Sequence, residues 1–425
     1  MRALSVAVLD EELPFPLTSG KRIRSFNLLA RLAQRHRVTV LCHANPDRDE
    51  QLAAEAACRD AGIKTVVVNR TVPPKSGPAF YARLAGNLLS PLPYSVSSHT
   101  SAELVTAARA FAETNPVDVW HSEWTPYAQV LRDVLGSQLS ATPWCVMAHN
   151  VESLIWRRYA ETAGNPLKKW YIRQQLRKFE RFERWAYSHA TAPIAVSRED
   201  AQLMRTEFGA AGVHVVDNGV DVEFFHPQRD VDRDPARMLF LGSLDWRPNQ
   251  DAAVQLFSQV LPKVRAAVPR ATAVVVGRRP PNWLRELASN TPGAELYADV
   301  PDVRPFLARC GFLVVPLRIG GGSRLKILEA LAAGTPVVST RVGAEGLELT
   351  PGRELLVCDT LEGLPELAAG AIRRPDELAD TAEAGRERVL KRYSWELLAE
   401  RMDGVWRSVT SEKAQAKPPA RSSVL

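Results

Sequence analysis

Along the first half of the chain, short apolar runs alternate with longer stretches in which apolar residues recur every three or four positions. Six runs have strand length: LSVAVL (4–9), RVTVLCH (37–43), KTVVVN (64–69), VDVWHS (117–122), PWCVMAH (143–149) and TAPIAVS (191–197). They are β-branched and almost continuously apolar, which suits strands covered on both faces of a parallel sheet. Helical spacing fills the gaps, for example at 21–34 and 101–114. The second half repeats the rhythm, with strands at 237–243, 271–277, 294–300, 312–317, 335–340 and 354–358, and helices near 249–267, 302–309, 323–333 and 361–370. Strand–helix alternation twice over predicts an α/β chain of two doubly wound domains.

The pattern breaks at 199–236, where turn, charged and proline residues mix. The expected organisation is a first domain over 1–198, a connection over 199–236 and a second domain over 237–393. A helix over 394–412 and a polar, Pro/Ser-rich tail over 413–425, expected to be disordered, complete the chain. In the last helix Trp395, Leu398, Met402, Val405, Trp406 and Val409 fall at helical spacing, with Ser394 placed to cap it and Glu396 in its first turn. No short internal repeat of the solenoid kind is present.

A length of 425 residues fits two such domains, each able to bury a core. With 45% hydrophobic and 24% charged residues, the composition is that of a soluble globular protein. No apolar run reaches the roughly 18 residues a membrane-spanning helix needs. The N-terminus meets acid at Asp10 after a short apolar run, so it reads as a strand rather than a signal peptide. Cys42, Cys58, Cys145, Cys310 and Cys358 form no CxxC pair, which points away from zinc and disulfides and toward a reducing cytoplasm. A net charge of +6 permits an anionic ligand or membrane surface without requiring one. The positive charge follows no nucleic-acid reader motif, so no nucleic-acid partner is expected.

The strongest chemical signal is 316–347, PLRIGGGSRLKILEALAAGTPVVSTRVGAEGL. A strand ends at Leu317, and Gly320, Gly321, Gly322 and Ser323 lead into a helix. Glycines let the backbone approach a ligand, and free N–H groups at a helix start attract phosphate. Arg324 and Lys326 add positive charge there, and Glu329 places a carboxylate where ribose hydroxyls could donate to it. The plain alternative is an ordinary strand–loop–helix unit with a surface Arg/Lys pair. In the first half, His149 ends the strand 143–149, and His121 and Glu123 lie at the end of the strand before it. The carboxyl ends of strands line the ligand crevice of an α/β sheet. A core or solvated histidine is the alternative for His149, and ordinary loop polar residues for the other two. Gly20 follows the first strand and is expected to open a loop toward an acceptor, or to be a turn glycine. That loop has no G-x-G-x-x-G, which argues against a dinucleotide oxidoreductase.

At these residues the sequence resembles the retaining glycosyltransferases of the GT-B fold, in particular their large family four. LEALAAGTPVVST is close to the family's donor-site signature. His36-Arg37-Val38, Ala195-Val196-Ser197, Asn218-Gly219-Val220-Asp221, Leu241-Gly242-Ser243 with Pro248-Asn249, and Val274-Val275-Val276-Gly277 fall where the family has comparable segments. The resemblance implies two Rossmann-like domains facing a cleft, with the last helix crossing back to the first domain. It also implies sugar transfer from a nucleotide-sugar to a hydroxyl acceptor with retention. The triple-glycine form is similar to a subgroup that assembles cell-surface polysaccharides or glycolipids. The family motif carries two glutamates; Glu329 matches the second, and Gly321 stands at the first. Ser243 and Asn249 stand where the family's diphosphate-binding Arg and Lys usually are. His149, through the resemblance, and Arg324 and Lys326, through their charge at the helix start in place of the missing cations, are the expected catalytic residues. Glu329, Gly320, Gly321, Gly322, Ser323, Gly242, Ser243 and Asn249 are expected at the donor, and Gly20, His121 and Glu123 on the acceptor side.

Negative charge develops on the departing nucleoside diphosphate, so cations and N–H groups aimed at it lower the barrier. No Asp-x-Asp pair ends a strand, and Arg324, Lys326 and the helix dipole offer a metal-free substitute, so no cofactor or metal is expected. No carboxylate stands out as a covalent nucleophile. A sugar-nucleotide epimerase of the same shape, and a non-catalytic binding subunit suggested by Gly321, are the competing readings. Residues 151–188 hold nine Arg/Lys, four Glu and eight aromatics. This mixture suits contact with an anionic inner membrane face and a lipid-linked acceptor, or else a solvated helical pair with its aromatics turned inward.

Overall fold

The computed structural model describes residues 2–416 except 75, 163, 229–230 and 319–323, and leaves the side chains of 162 and 412–416 undescribed. Two all-parallel sheets form. The first contains β1 (Ser5–Leu9), β2 (Arg37–His43), β3 (Lys64–Val68), β4 (Val119–Ser122), β5 (Trp144–Ala148), β6 (Ala192–Ala195) and β7 (His214–Val215), in the order β3-β2-β1-β4-β5-β6-β7. The second contains β8 (Asp234–Leu241), β9 (Thr272–Gly277), β10 (Ala294–Ala298), β11 (Cys310–Val315), β12 (Val337–Thr340) and β13 (Leu356–Cys358), in the order β10-β9-β8-β11-β12-β13. Every residue of β4, β5, β6, β11 and β12 is buried, as continuous apolar runs between two helical layers require. Strand order reverses between β1 and β4 in the first sheet and between β8 and β11 in the second. The carboxyl ends of those strands are where doubly wound sheets bind ligands.

By its contacts the chain forms two compact units. One holds the residues up to Asp217 together with those from Leu398 onward, and the other holds Asn218–Leu397. The segment 199–236, expected as a connection, carries a helix at Arg198–Phe208, strand β7 and the start of β8. Ser197 caps that helix by accepting from the Asp200 amide, and Gly209 ends it in the left-handed conformation. The final helix, Trp395–Ala416, extends into the segment expected to be disordered, and 417–425 lie outside the described residues. The Leu397 amide donates to Ser394 Oγ at 3.4 Å, and Trp395, Leu398, Met402, Val405, Trp406 and Val409 are all buried. The helix expected over 249–267 is interrupted by a π turn at Leu256–Val260. Pro262 follows directly and lacks the N–H a continuous α-helix would use there.

Residues 151–188 form helices Glu152–Thr162 and Pro166–His189. Trp156 stacks on Phe179 with ring centres 5.8 Å apart, and Trp185 stacks on Trp144 at 6.3 Å. Lys178, one of the nine cations of this stretch, is buried, with Nζ 2.6 Å from the Asn87 carbonyl. Its long aliphatic stem makes this burial possible once the ammonium finds carbonyl acceptors. Gly20 is also reassigned: it is the first residue of helix Gly20–Ala33, capped by Ser19, and opens no loop.

Candidate functional site

In the second unit the described residues expected on the donor side lie near the carboxyl ends of β8, β9 and β11. Gly242 follows β8 and its amide donates to the Val276 carbonyl at 3.1 Å. A Cβ on Gly277 would lie 1.9 Å from the Gly242 carbonyl, and one on Gly242 would lie 2.8 Å from the Asn249 side chain, so this junction has room only for glycine. Asn249 Nδ2 donates to the Ser243 carbonyl at 2.9 Å, and its Oδ1 accepts from Lys326 Nζ at 3.0 Å. Lys326 Nζ also sits 4.3 Å from the centre of the Phe240 ring. The ammonium therefore stands beside Asn249, the position at which the resembled family carries a cation.

Lys326 and Glu329 lie one turn apart on helix Leu325–Ala332, both half-buried. Burial, helped by the neighbouring Arg324 and opposed by Glu329, pulls the Lys326 ammonium down to about 7. Burial likewise pushes the Glu329 carboxyl up to about 7 against the pull of Lys326. Near neutrality both groups can gain or lose charge as an anionic ligand arrives. Arg324, also expected at the diphosphate, is buried. Its Nη2 donates to the Val342 carbonyl at 2.8 Å and lies 3.7 Å from Glu345. Gly320, Gly321, Gly322 and Ser323 lie outside the described residues. Ser243 donates to Asp245 at 2.8 Å and accepts from Arg278 Nη2 at 3.3 Å. Arg278, one residue past β9, is a cation at this strand end that the sequence pattern did not single out, although the strand-end rule points to it.

In the first unit a second cluster forms where β1, β4 and β5 end. Glu123, just past β4, accepts from Ser25 Oγ at 2.7 Å and from His121 Nε2 at 2.9 Å, and its Oε1 is 3.4 Å from His149 Nε2. Ser25 reaches it from the buried face of helix Gly20–Ala33, where Arg24 is buried as well. Burial works against the Glu123 charge, but His121 and His149 outweigh it and hold the carboxyl well below its ordinary value. Burial pushes His149 down, against the pull of Glu123. Arg24 donates to the Asp217 carbonyl and, at 2.8 Å, to the Val216 carbonyl, bracing the last residues of this unit. Beside these groups, Asp10 directly follows β1 and pairs with Lys21. Burial raises the Asp10 carboxyl to about 6. Sequence reasoning missed Asp10, Lys21, Arg24 and Ser25, and the strand-end rule signals only the first.

Among the described residues no three His, Cys, Asp or Glu side chains gather as a metal site requires, and no helix is long and apolar enough to cross a membrane.

Comparison with solved structures shows the same architecture. Sucrose-phosphate synthase from Thermosynechococcus elongatus superimposes with a TM-score of 0.70 at 18% identity, covering 96% of this chain and 100% of that one. The fold is GT-B. A phosphatidyl-myo-inositol mannosyltransferase of Mycolicibacterium smegmatis is 30% identical over 225 residues, 51% of this chain and 57% of that protein. A GDP-mannose-dependent monoacylated alpha-(1-6)-phosphatidylinositol monomannoside mannosyltransferase of Corynebacterium glutamicum is 28% identical over 214 residues, 45% of this chain and 55% of that protein. The chain thus spans about half the length of these relatives. Residues 19–219 match the family model of the glycosyl transferase 4-like domain, and residues 235–374 match that of glycosyl transferases group 1. Together the two models take in well over half of the sequence, and the chain belongs to the group 1 glycosyltransferases.

Proposed function

We propose that the protein transfers a hexose from a nucleoside-diphosphate sugar to a hydroxyl acceptor, with retention, in the assembly of a cell-surface polysaccharide or glycolipid. The observation that carries this reading is the Lys326–Glu329 pair, on the helix that follows β11 at the switch point of the second sheet. Lys326 meets the diphosphate and Glu329 the ribose hydroxyls. As the glycosidic bond breaks, the growing charge on the diphosphate is met by an ammonium already in place and held by Asn249. Arg278 adds charge beside Ser243. Lys326 and Arg278 supply the cations, so the reaction runs without a metal. His149 and Glu123 serve the sugar and acceptor hydroxyls.

The acceptor in this reading is lipid-linked, as the names of the two mannosyltransferases suggest for those proteins. Leu167, Trp170, Arg173, Arg177 and Arg181 are exposed on helix Pro166–His189 at spacings of three and four, so they share one face. Apolar and aromatic residues beside cations suit the headgroup level of an anionic membrane on the cytoplasmic side. The protein should float with anionic but not neutral vesicles, and changing the three arginines to Gln should abolish it. Flotation that is absent at low salt removes the membrane from the account.

The reading as a whole is tested by nucleoside diphosphate release. Donor and acceptor together should release it, EDTA should leave the rate unchanged, and Lys326→Met should lower it at least tenfold. Binding of the donor without turnover on sugar or lipid-linked acceptors would favour the non-catalytic subunit. Loss in EDTA with rescue by magnesium would overturn the metal-free step.

A further inference from the structure

Trp406, on the final helix, is fully buried between two histidines. Its ring centre is 5.8 Å from that of His36 and 5.7 Å from that of His121, edge-on to both. An indole N–H only donates. Trp406 Nε1 points at His121 Nδ1 from 3.2 Å, so that nitrogen must present a lone pair. The proton of His121 is then on Nε2, 2.9 Å from Glu123 Oε2. The opposite tautomer would set two N–H groups against each other at one end of the ring and a lone pair against a carboxylate at the other. All three residues are buried, so water is poorly placed to relieve such a mismatch.

The constraint passes on through the carboxylate. Its other oxygen accepts from Ser25 and faces His149 Nε2 at 3.4 Å, outside hydrogen-bond geometry in the structure. Catalytic hydrogen bonds are often long before substrate arrives and tighten afterwards. An ionised carboxylate can only accept. It therefore favours a proton on the His149 nitrogen that faces it.

We propose that Trp406 is a positioning residue: its N–H fixes His121 as the Nε2–H tautomer, His121 and Ser25 hold the Glu123 carboxylate, and the carboxylate holds His149 as the Nε2–H tautomer, leaving Nδ1 to accept from a substrate hydroxyl. The final clause rests on the reading of His149 as a substrate-facing group. The final helix, far from β4 in sequence, thus does more than cover apolar surface.

His36 supplies an internal control. Its Nδ1 accepts from the Leu4 amide at 3.1 Å and its Nε2 faces Asp403 Oδ1 at 2.9 Å, so its tautomer is set without the Trp406 N–H. The test is two-bond proton–nitrogen correlation NMR on the full chain labelled with nitrogen-15 histidine, with resonances assigned by His36→Gln, His121→Gln and His149→Gln. In the wild type all three rings should be protonated on Nε2 alone. Trp406→Phe keeps the ring and removes the donor. It should convert His121 and His149 to mixed tautomers and leave His36 unchanged. Glu123→Gln should release His149 without touching Trp406. A wild-type His121 protonated on Nδ1, or a Trp406→Phe spectrum with His121 and His149 unmoved, would overturn the proposal. If Trp406→Phe does not fold, the wild-type and Glu123→Gln spectra still decide. Tautomers as expected in a protein that turns over no nucleotide-sugar would leave this relay standing and remove the transferase reading instead.

Discussion

The two polar clusters of this chain are built on opposite plans. In the first unit Glu123 is an ionised carboxylate locked by Ser25 and His121, with Trp406 behind them, and every one of these groups is buried. In the second unit Lys326 and Glu329 are half-buried, with ionisation poised near neutrality. The first arrangement fixes directions of donors and acceptors. The second leaves charge to be drawn out by a ligand. A reaction that must orient hydroxyls and also accommodate a departing diphosphate has a use for one of each.

The largest expected effect removes the support of the first cluster. Truncation after Tyr393 takes away Leu398, Met402, Val405, Trp406 and Val409, five large buried apolar side chains of the first unit. At about 1.5–3 kcal/mol each, their loss matches or exceeds the roughly 5–15 kcal/mol that stabilises a typical domain. The truncated protein should lose the cooperative melting of its first unit, followed by differential scanning calorimetry. A normal melt would mean the helix is dispensable and the contrast between the clusters is misplaced.

Next is Lys326→Met. Nucleoside diphosphate affinity measured by calorimetry should fall by about 1.5–3 kcal/mol, the range for a charged hydrogen bond. Melting should not fall, because the replaced ammonium is costly to bury. Lost affinity with a lowered melting point would make Lys326 a structural residue like those around Glu123. Glu329→Ala should weaken the same binding by about 1–3 kcal/mol. Unchanged affinity would leave the ribose without its acceptor.

The finest effect is in pH. Phosphate pairing raises the Lys326 value on binding, so its contribution is present below about 7 and is lost as pH climbs through the bound value. A ribose-bound Glu329 has its value lowered, so its contribution is present above about 7 and is lost as pH falls through the bound value. Affinity for the nucleotide-sugar should peak near neutrality, with Glu329→Gln flattening the acid limb and Lys326→Met the alkaline one. A flat profile in the wild type would remove the contrast with the fixed first cluster.

Much of this was legible in the sequence, and the parts that were not share a cause. Strands such as β4, β5, β6, β11 and β12 announce themselves because strands covered on both faces must be continuously apolar. β7 escapes because two residues at a sheet edge, His214 and Val215, carry no pattern. Glu329 and Lys326 stand out because the glycine-rich segment marks a helix start. The bond from Trp406 to His121 spans 285 positions, and no local pattern encodes it. Lys178 misleads because charge predicts exposure, whereas the carbonyls of Asn87 and Leu88 that receive its ammonium come from another helix end.

The central claim is that the second unit binds a nucleoside diphosphate through Lys326 and Glu329. Thermal melting against UDP, GDP, ADP and dTDP, in the wild type and in a Lys326→Met/Glu329→Ala double variant, tests it most directly. One nucleotide should raise the wild-type midpoint, by an amount equivalent to about 2.7 kcal/mol at a concentration one hundred times its Kd, and should leave the double variant unmoved. No shift with any of the four, or the same shift in the double variant, would contradict the account.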